Sequence, residues 1–234
     1  MASRVWEGVG VSCFEAVLFD WSGTLVHDPP PIDRLAAALR SLDREPRAEH
    51  VAAAVAALAA AADLPDVVEA MRDEDTSTTR HRAANMLWFR RAGLDVELAE
   101  ALYAVDADPA NRPLYPDAAA NLTAIHAHGV KIAVVSDIHL DLRTLLQGQG
   151  VGDCIDAYAL SFELGCQKPD PRMFLTALDL LDVDAARTLM VGDRCSHDGG
   201  AVDVGIATFI LPPPPPENGP RGLDAVTRLL AHQQ

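Results

Sequence analysis

The chain has 234 residues, 49% of them hydrophobic and 23% charged, a balance that fits a folded globular protein and excludes a disordered one. Its 19 basic and 34 acidic residues leave a formal charge of −15, so a basic face able to displace counterions from nucleic acid is not expected. No run approaches the roughly 18 consecutive apolar residues of a membrane span, and residues 1–13, with Arg4, Glu7 and no apolar core, do not read as a signal peptide.

In chain order, residues 16–19 (Ala-Val-Leu-Phe) form an apolar run that stops at Asp20 and the turn pair Ser22 and Gly23. A run that is apolar at every position, rather than every second one, describes a strand covered on both faces. Residues 30–112 then carry no strand pattern. Helices are expected over 32–42, 48–62, 66–72, 78–92 and 96–103, punctuated by Asp33, Pro46, Pro65, Gly93 and Pro109. Their many alanines follow from high helix propensity and close helix packing. Arg80, Arg82, Arg90 and Arg91 read as a solvated helix face rather than an anion site.

Alternation returns after residue 112. Helical patterns over 117–128, 140–149, 171–181 and 199–205 interleave with strand patterns over 130–135, 157–160, 188–191 and 206–211. That order predicts a doubly wound α/β domain with a parallel sheet and an all-helical insertion after its first strand. Ligands of such sheets sit beyond the carboxyl ends of the strands. The prolines at 212–216 read as a semi-rigid connector, followed by a short helix over 223–230. Cys13, Cys154, Cys166 and Cys195 form no CxxC pair and read as reduced thiols of a cytoplasmic protein.

Four polar clusters follow strand ends: Asp20 to Thr24, Ser136 with Asp137, Lys168 between Gln167 and Pro169, and Asp193 with Asp198. Taken singly, each has a structural explanation: turn or cap residues for the acids and the serine, a solvated side chain for the lysine. Lys168 is notable because the chain carries two lysines against 17 arginines, and one of those two stands beside prolines at a strand end. Together the clusters meet one requirement. A carboxylate attacks a phosphoryl group, a hydroxyl and an ammonium hold its oxygens, and further acids hold a divalent cation that offsets their mutual repulsion.

These motifs, in this order, resemble the haloacid dehalogenase superfamily, in the branch with a helical cap between the first and second motifs. The resemblance covers residues 14–29 and 113–232 and the placement of the cap. It implies Asp20 as the nucleophile that forms an aspartyl-phosphate, with Thr24 structural in the same loop. It implies Ser136, Asp137 and Lys168 as phosphate-binding residues. Mg²⁺ would be held by Asp20, Asp193, Asp198 and the carbonyl of Ser22. Domain limits of 1–29 and 113–234 for the core and 30–112 for the cap follow.

One departure stands out. Phosphatases of the family carry a second Asp two residues after the nucleophile, as general acid and base; here that residue is Ser22. A hydroxyl supplies none of the 10²–10⁴-fold that such help is typically worth, on the order of 3–5 kcal/mol. His27 and His197 are the nearby substitutes, although a plain loop histidine is the commoner case. A phosphonoacetaldehyde hydrolase is excluded because residues 25–112 contain no lysine for a Schiff base. The transport-ATPase branch lacks its membrane segments here. A haloacid dehalogenase is a weaker alternative, since Asp193 and Asp198 are retained. The remaining alternative is a non-catalytic binder of a phosphorylated ligand or partner. The expectation is Mg²⁺-dependent hydrolysis of a small phosphate monoester, or slow phosphoryl transfer, through Asp20.

Overall fold

The computed structural model describes residues 14–214 and 219–231. Cys13, the 1–13 segment and two of the connector prolines, Pro215 and Pro216, lie outside the described residues. In chain order the elements are β1 (Ala16–Phe19), α1 (Pro31–Ser41), α2 (Ala48–Ala62), α3 (Pro65–Met71), α4 (Thr78–Arg91), α5 (Val96–Ala107) and α6 (Ala118–Ala127). They continue with β2 (Lys131–Ser136), α7 (Arg143–Gly148), β3 (Ala157–Leu160), α8 (Ser161–Leu164), α9 (Pro171–Leu181), β4 (Thr188–Gly192), β5 (Ala207–Ile210) and α10 (Asp224–Ala231). The sheet order is β3-β2-β1-β4-β5 and every pairing is parallel. The chain leaves β1 toward β2 and β3, then returns to its other side as β4. The switch point therefore lies between β1 and β4, where a doubly wound sheet opens its crevice.

Alternation within the strands divides the core between two faces. Val17, Phe19, Ile132, Val134, Leu189 and Val191 face α6 and α10 with Trp21, Leu122, Ile125 and Val226. Ala16, Leu18, Ala133, Val135, Ala157 and Met190 face α9 through Met173, Phe174, Ala177 and Leu181. Burial on both sides is the reason these strands are apolar at every position. Helices α1, α2, α4 and α5 bury a separate apolar cluster built on Leu35, Leu58, Phe89 and Leu102. Arg82 forks onto Glu100 at 2.7 Å and Arg91 reaches Asp66 at 2.8 Å, so two of the four expected surface arginines join helices of the insertion.

Local chemistry sets the ends. Asp170 accepts the Arg172 amide at 2.9 Å with Pro171 at the first helical position, which starts α9. Ser77 and Asp95 cap α4 and α5 in the same way. Two expected helices differ. Residues 140–142 are not helical, because the Asp141 carboxylate takes the Arg143 amide at 3.0 Å and turns the chain into a later, shorter α7. The 199–205 segment is a 3₁₀ stretch, Asp198–Val204. Its glycines disfavour an α-helix, and Gly200 packs so closely on Pro169 that an added Cβ would lie 2.5 Å away. Among the described residues no single helix is long and apolar enough to cross a membrane.

Candidate active site

Asp20 follows the last residue of β1, and its amide donates to the Val191 carbonyl of β4 at 2.9 Å, which holds it at the switch point. The chain then closes on itself: the Leu25 and Val26 amides donate to the Trp21 carbonyl at 2.8 and 3.1 Å. Gly23 makes this turn at φ +72°, where a Cβ would lie 2.4 Å from Asp193 Oδ2. A glycine is what lets the β4 loop approach the β1 loop. Gly23→Ala is expected to cost more than about 1 kcal/mol, seen as a lower midpoint of thermal unfolding.

The buried Lys168 ammonium donates to Asp20 Oδ1 and to Asp198 Oδ1, each at 2.6 Å. Its own amide donates to Asp137 Oδ1 at 2.8 Å, so the second-motif loop steers the lysine. Thr24 Oγ1 donates to Asp20 Oδ2 at 3.1 Å. Asp198 is fully buried, accepts the Arg194 amide on Oδ2 at 2.9 Å, and fits only because Gly192 has no Cβ, which would lie 2.2 Å from its carboxyl group. The carboxylates of Asp20, Asp193 and Asp198 bring one oxygen each to within 4.8 Å of one another. Ser136 Oγ, at the end of β2, is buried with no hydrogen-bond partner, and so is Asp193 Oδ1.

Three acids thus surround one ammonium. Burial pushes the Asp20 carboxyl up to about 7; Lys168 opposes that rise and Asp198 adds to it. Burial and then Asp198 raise Asp193 as well. For Lys168, burial disfavours the charge, but Asp20 and Asp198 outweigh it and hold the ammonium above its ordinary range. The cluster is one cation short. An all-oxygen donor set with an orphaned carboxylate oxygen fits a hard divalent ion such as Mg²⁺.

The other expected residues are placed as follows. The Ser22 hydroxyl donates to Asp28 Oδ2 at 2.5 Å, and Asp28 Oδ1 accepts from Arg112 Nε at 2.8 Å. His27 packs edge-on against Tyr115, centroids 5.8 Å apart. His197 lies 2.8 Å from Arg194, and burial followed by that guanidinium lowers its pKa, which disfavours a proton-donating role. Cys166 is buried with its thiol pushed up by burial, and Cys195 is exposed. Trp21 is fully buried in the core beneath Arg112.

Sequence reasoning missed Asp28, Arg112 and Arg221. Arg221 is buried, donates from Nε to the Gly23 carbonyl at 2.6 Å, and has two further guanidinium nitrogens without partners. Asp117 holds that segment by accepting the amides of Arg221, Gly222 and Leu223 at 2.8 to 2.9 Å. Arg221 stands 198 residues from Gly23 in sequence, and no local pattern marks it.

The family model for haloacid dehalogenase-like hydrolases matches residues 14–202. The chain belongs to that superfamily and is a hydrolase of its fold. It is 31% identical over 204 residues to a phosphoglycolate phosphatase of Rhodospirillum rubrum, covering 84% of this chain and 79% of that one. It is 35% identical over 120 residues to haloacid dehalogenase-like hydrolase domain-containing protein 3 of Bos taurus, covering 51% of this chain and 48% of that relative, so the match spans about half the length of the bovine protein. A solved 2-haloacid dehalogenase from Pseudomonas syringae superposes with a TM-score of 0.64 over 94% of this chain and 100% of the other at 24% identity, a likeness of fold.

Proposed function

We propose that the protein is a Mg²⁺-dependent phosphatase of small phosphate monoesters that works through an aspartyl-phosphate on Asp20. The observation that carries this reading is the Lys168 ammonium bridging Asp20 and Asp198 beside an unpartnered Asp193 oxygen. Named phosphatases among the relatives support the same class of substrate. Residues 30–112 act as the cap over a core of 1–29 and 113–234, excluding water and selecting the substrate.

The steps assign each residue one task. Asp20 attacks phosphorus, the bond to the leaving oxygen breaks, and the alkoxide takes its proton from solvent. Lys168 and the Ser136 hydroxyl hold the phosphoryl oxygens, with Asp137 fixing the lysine backbone. Water then attacks phosphorus and gives up a proton to solvent, the bond to Asp20 breaks, and inorganic phosphate leaves. Asp20, Asp193, Asp198 and the Ser22 carbonyl would hold Mg²⁺, which offsets the charge of the acids and of the incoming phosphate. Ser22 supplies no carboxyl group to either proton transfer, so substrates with good leaving groups turn over best.

The test is hydrolysis of an aryl phosphate with and without Mg²⁺. Simple Ser22→Asp would set a new carboxylate against Asp28, so the informative variant is Ser22→Asp with Asp28→Asn. Its kcat is expected to rise by at least about tenfold on an alkyl phosphate, with KM little changed. No Mg²⁺-dependent turnover of any phosphate ester by either protein would leave a non-catalytic phosphate binder. Release of halide from a 2-haloacid would favour a dehalogenase.

A further inference from the structure

Outside the carboxylate cluster, Asp75, His81 and His139 bring one ligand atom each to within 4.8 Å of one another. They come from both parts of the molecule: Asp75 from the 3₁₀ turn Glu74–Thr76, His81 from α4, and His139 from the loop three residues beyond Ser136. The backbones are pinned across this junction. Ser161 Oγ donates to the Asp75 carbonyl at 2.7 Å, Thr78 Oγ1 donates to the His139 carbonyl at 2.7 Å, and the Asp75 amide donates to Gln167 Oε1 at 3.1 Å.

Inside this frame His139 is 4% exposed, yet neither ring nitrogen has a hydrogen-bond partner. Its Nδ1 faces Asp75 Oδ1 at 3.5 Å, and His81 Nε2 faces the same oxygen at 4.0 Å. These spacings exceed a hydrogen bond, but they suit two ligands of one ion at about 2.1 Å from each. The other nitrogen of His81 is 3.2 Å from the Tyr103 hydroxyl. If that hydroxyl accepts from Nδ1–H, the Nε2 lone pair is left toward Asp75, the arrangement by which an outer partner orients a metal-binding histidine. The two rings are stacked, centroids 3.4 Å apart and 7° from parallel, so like charges on both would repel. His139, with neither ring nitrogen partnered, is the ring that tilts to share an ion, while Tyr103 holds His81. The Arg112 guanidinium, the cation acting on His81, is taken up by Asp28.

We propose that Asp75, His81 and His139 form a second metal site that takes a zinc-class divalent cation and ties the helical insertion to the Ser136 loop. Two imidazoles with one carboxylate suit Zn²⁺ or Co²⁺ and are a poor set for Mg²⁺, which separates this site from the all-oxygen cluster around Asp20. The site is independent of the phosphatase reading and stands or falls separately.

The experiment uses the full chain, stripped with a chelator and kept in millimolar Mg²⁺, titrated with Zn²⁺ by calorimetry and with Co²⁺ by visible absorption. The expected result is one equivalent bound with a Co²⁺ d–d spectrum. His81→Gln and His139→Gln weaken binding by at least about 100-fold, and Tyr103→Phe weakens it by about tenfold, whereas Asp193→Asn leaves it unchanged. Absence of binding, or binding that survives both histidine substitutions, overturns the proposal. Should either histidine variant fail to fold, anomalous diffraction at the zinc edge from the unsubstituted chain decides. A peak between the three side chains upholds the site, and no peak with Zn²⁺ supplied removes it.

Discussion

Asp20→Asn is expected to reduce hydrolysis of an aryl phosphate by at least about 10⁴-fold while leaving the fold intact, and at alkaline pH making it more stable. Asn keeps an oxygen to accept from Lys168; its amide nitrogen takes the place of Oδ2, so the Thr24 hydroxyl accepts where it had donated, and the charge is lost. In the parent chain burial pushes the Asp20 carboxyl up to about 7 from an unfolded value of 3.8. Between those values the folded state binds more protons than the unfolded one, so this group's contribution falls as pH rises from about 4 toward 7. Without Mg²⁺, the midpoint of thermal unfolding of Asp20→Asn should match the parent near pH 4 and exceed it at pH 8. An equal midpoint at both pH values would mean that Asp20 is no worse off folded than unfolded. Retained activity would discard Asp20 as the nucleophile.

Lys168→Met is expected to produce the largest loss of stability. Methionine fills most of the lysine's volume, but Asp20 and Asp198 then lose the ammonium that bridges them beside Asp193, and of these three acids the buried Arg221 guanidinium acts only on Asp193. Breaking a buried ion pair from one side costs on the order of 3–5 kcal/mol, which lowers the unfolding midpoint by roughly 6–20 °C for a chain of this size. Mg²⁺ should recover part of that loss, because the ion supplies the charge the lysine no longer provides. Lower pH should recover it too, since protonation neutralises the acids. A midpoint within about 2 °C of the parent, insensitive to Mg²⁺, would contradict the electrostatic account. Activity should fall as well, because the same ammonium is assigned to the phosphoryl oxygens.

A further pH effect comes from the insertion. Glu74 is largely buried, accepts from Asn85 Nδ2 at 3.0 Å, and is pushed up to about 8 by burial and then by Asp75. Its ionisation weakens the fold as pH rises from about 4.5 toward 8. Glu74→Gln should therefore raise the unfolding midpoint by at least about 3 °C at pH 8.5 and change it little at pH 5, as followed by circular dichroism. An equal shift at both pH values would assign the effect to packing instead.

Some of this molecule was legible in the chain because the signals are local. Residues 16–19 read as a strand since burial on both sides demands apolar side chains at every position. The helical pattern over 171–181 coincides with α9, since a cap at Asp170 and a proline without an amide donor act within one helical turn. Legibility failed where a distant or competing contact decides the outcome. Asp141 captures the Arg143 amide and delays α7. The 198–204 segment, whose Gly200 packs closely on Pro169 from another loop, is a 3₁₀ stretch.

The sequence by itself determined the alternation of strands and helices, the helical insertion after β1, and the acids, hydroxyl and lysine at the strand ends. Short-range periodicity and turn chemistry carry that information along the chain. Only the tertiary structure decided that Lys168 is shared between Asp20 and Asp198, that the Ser22 hydroxyl is engaged by Asp28, that Arg221 reaches the Gly23 carbonyl, and that two imidazoles stack beside Asp75. Apart from the Ser22–Asp28 bond, which closes within one loop, each of those contacts depends on where separate elements come to rest against one another. Packing of the whole core settles such positions, and no stretch of residues encodes them alone.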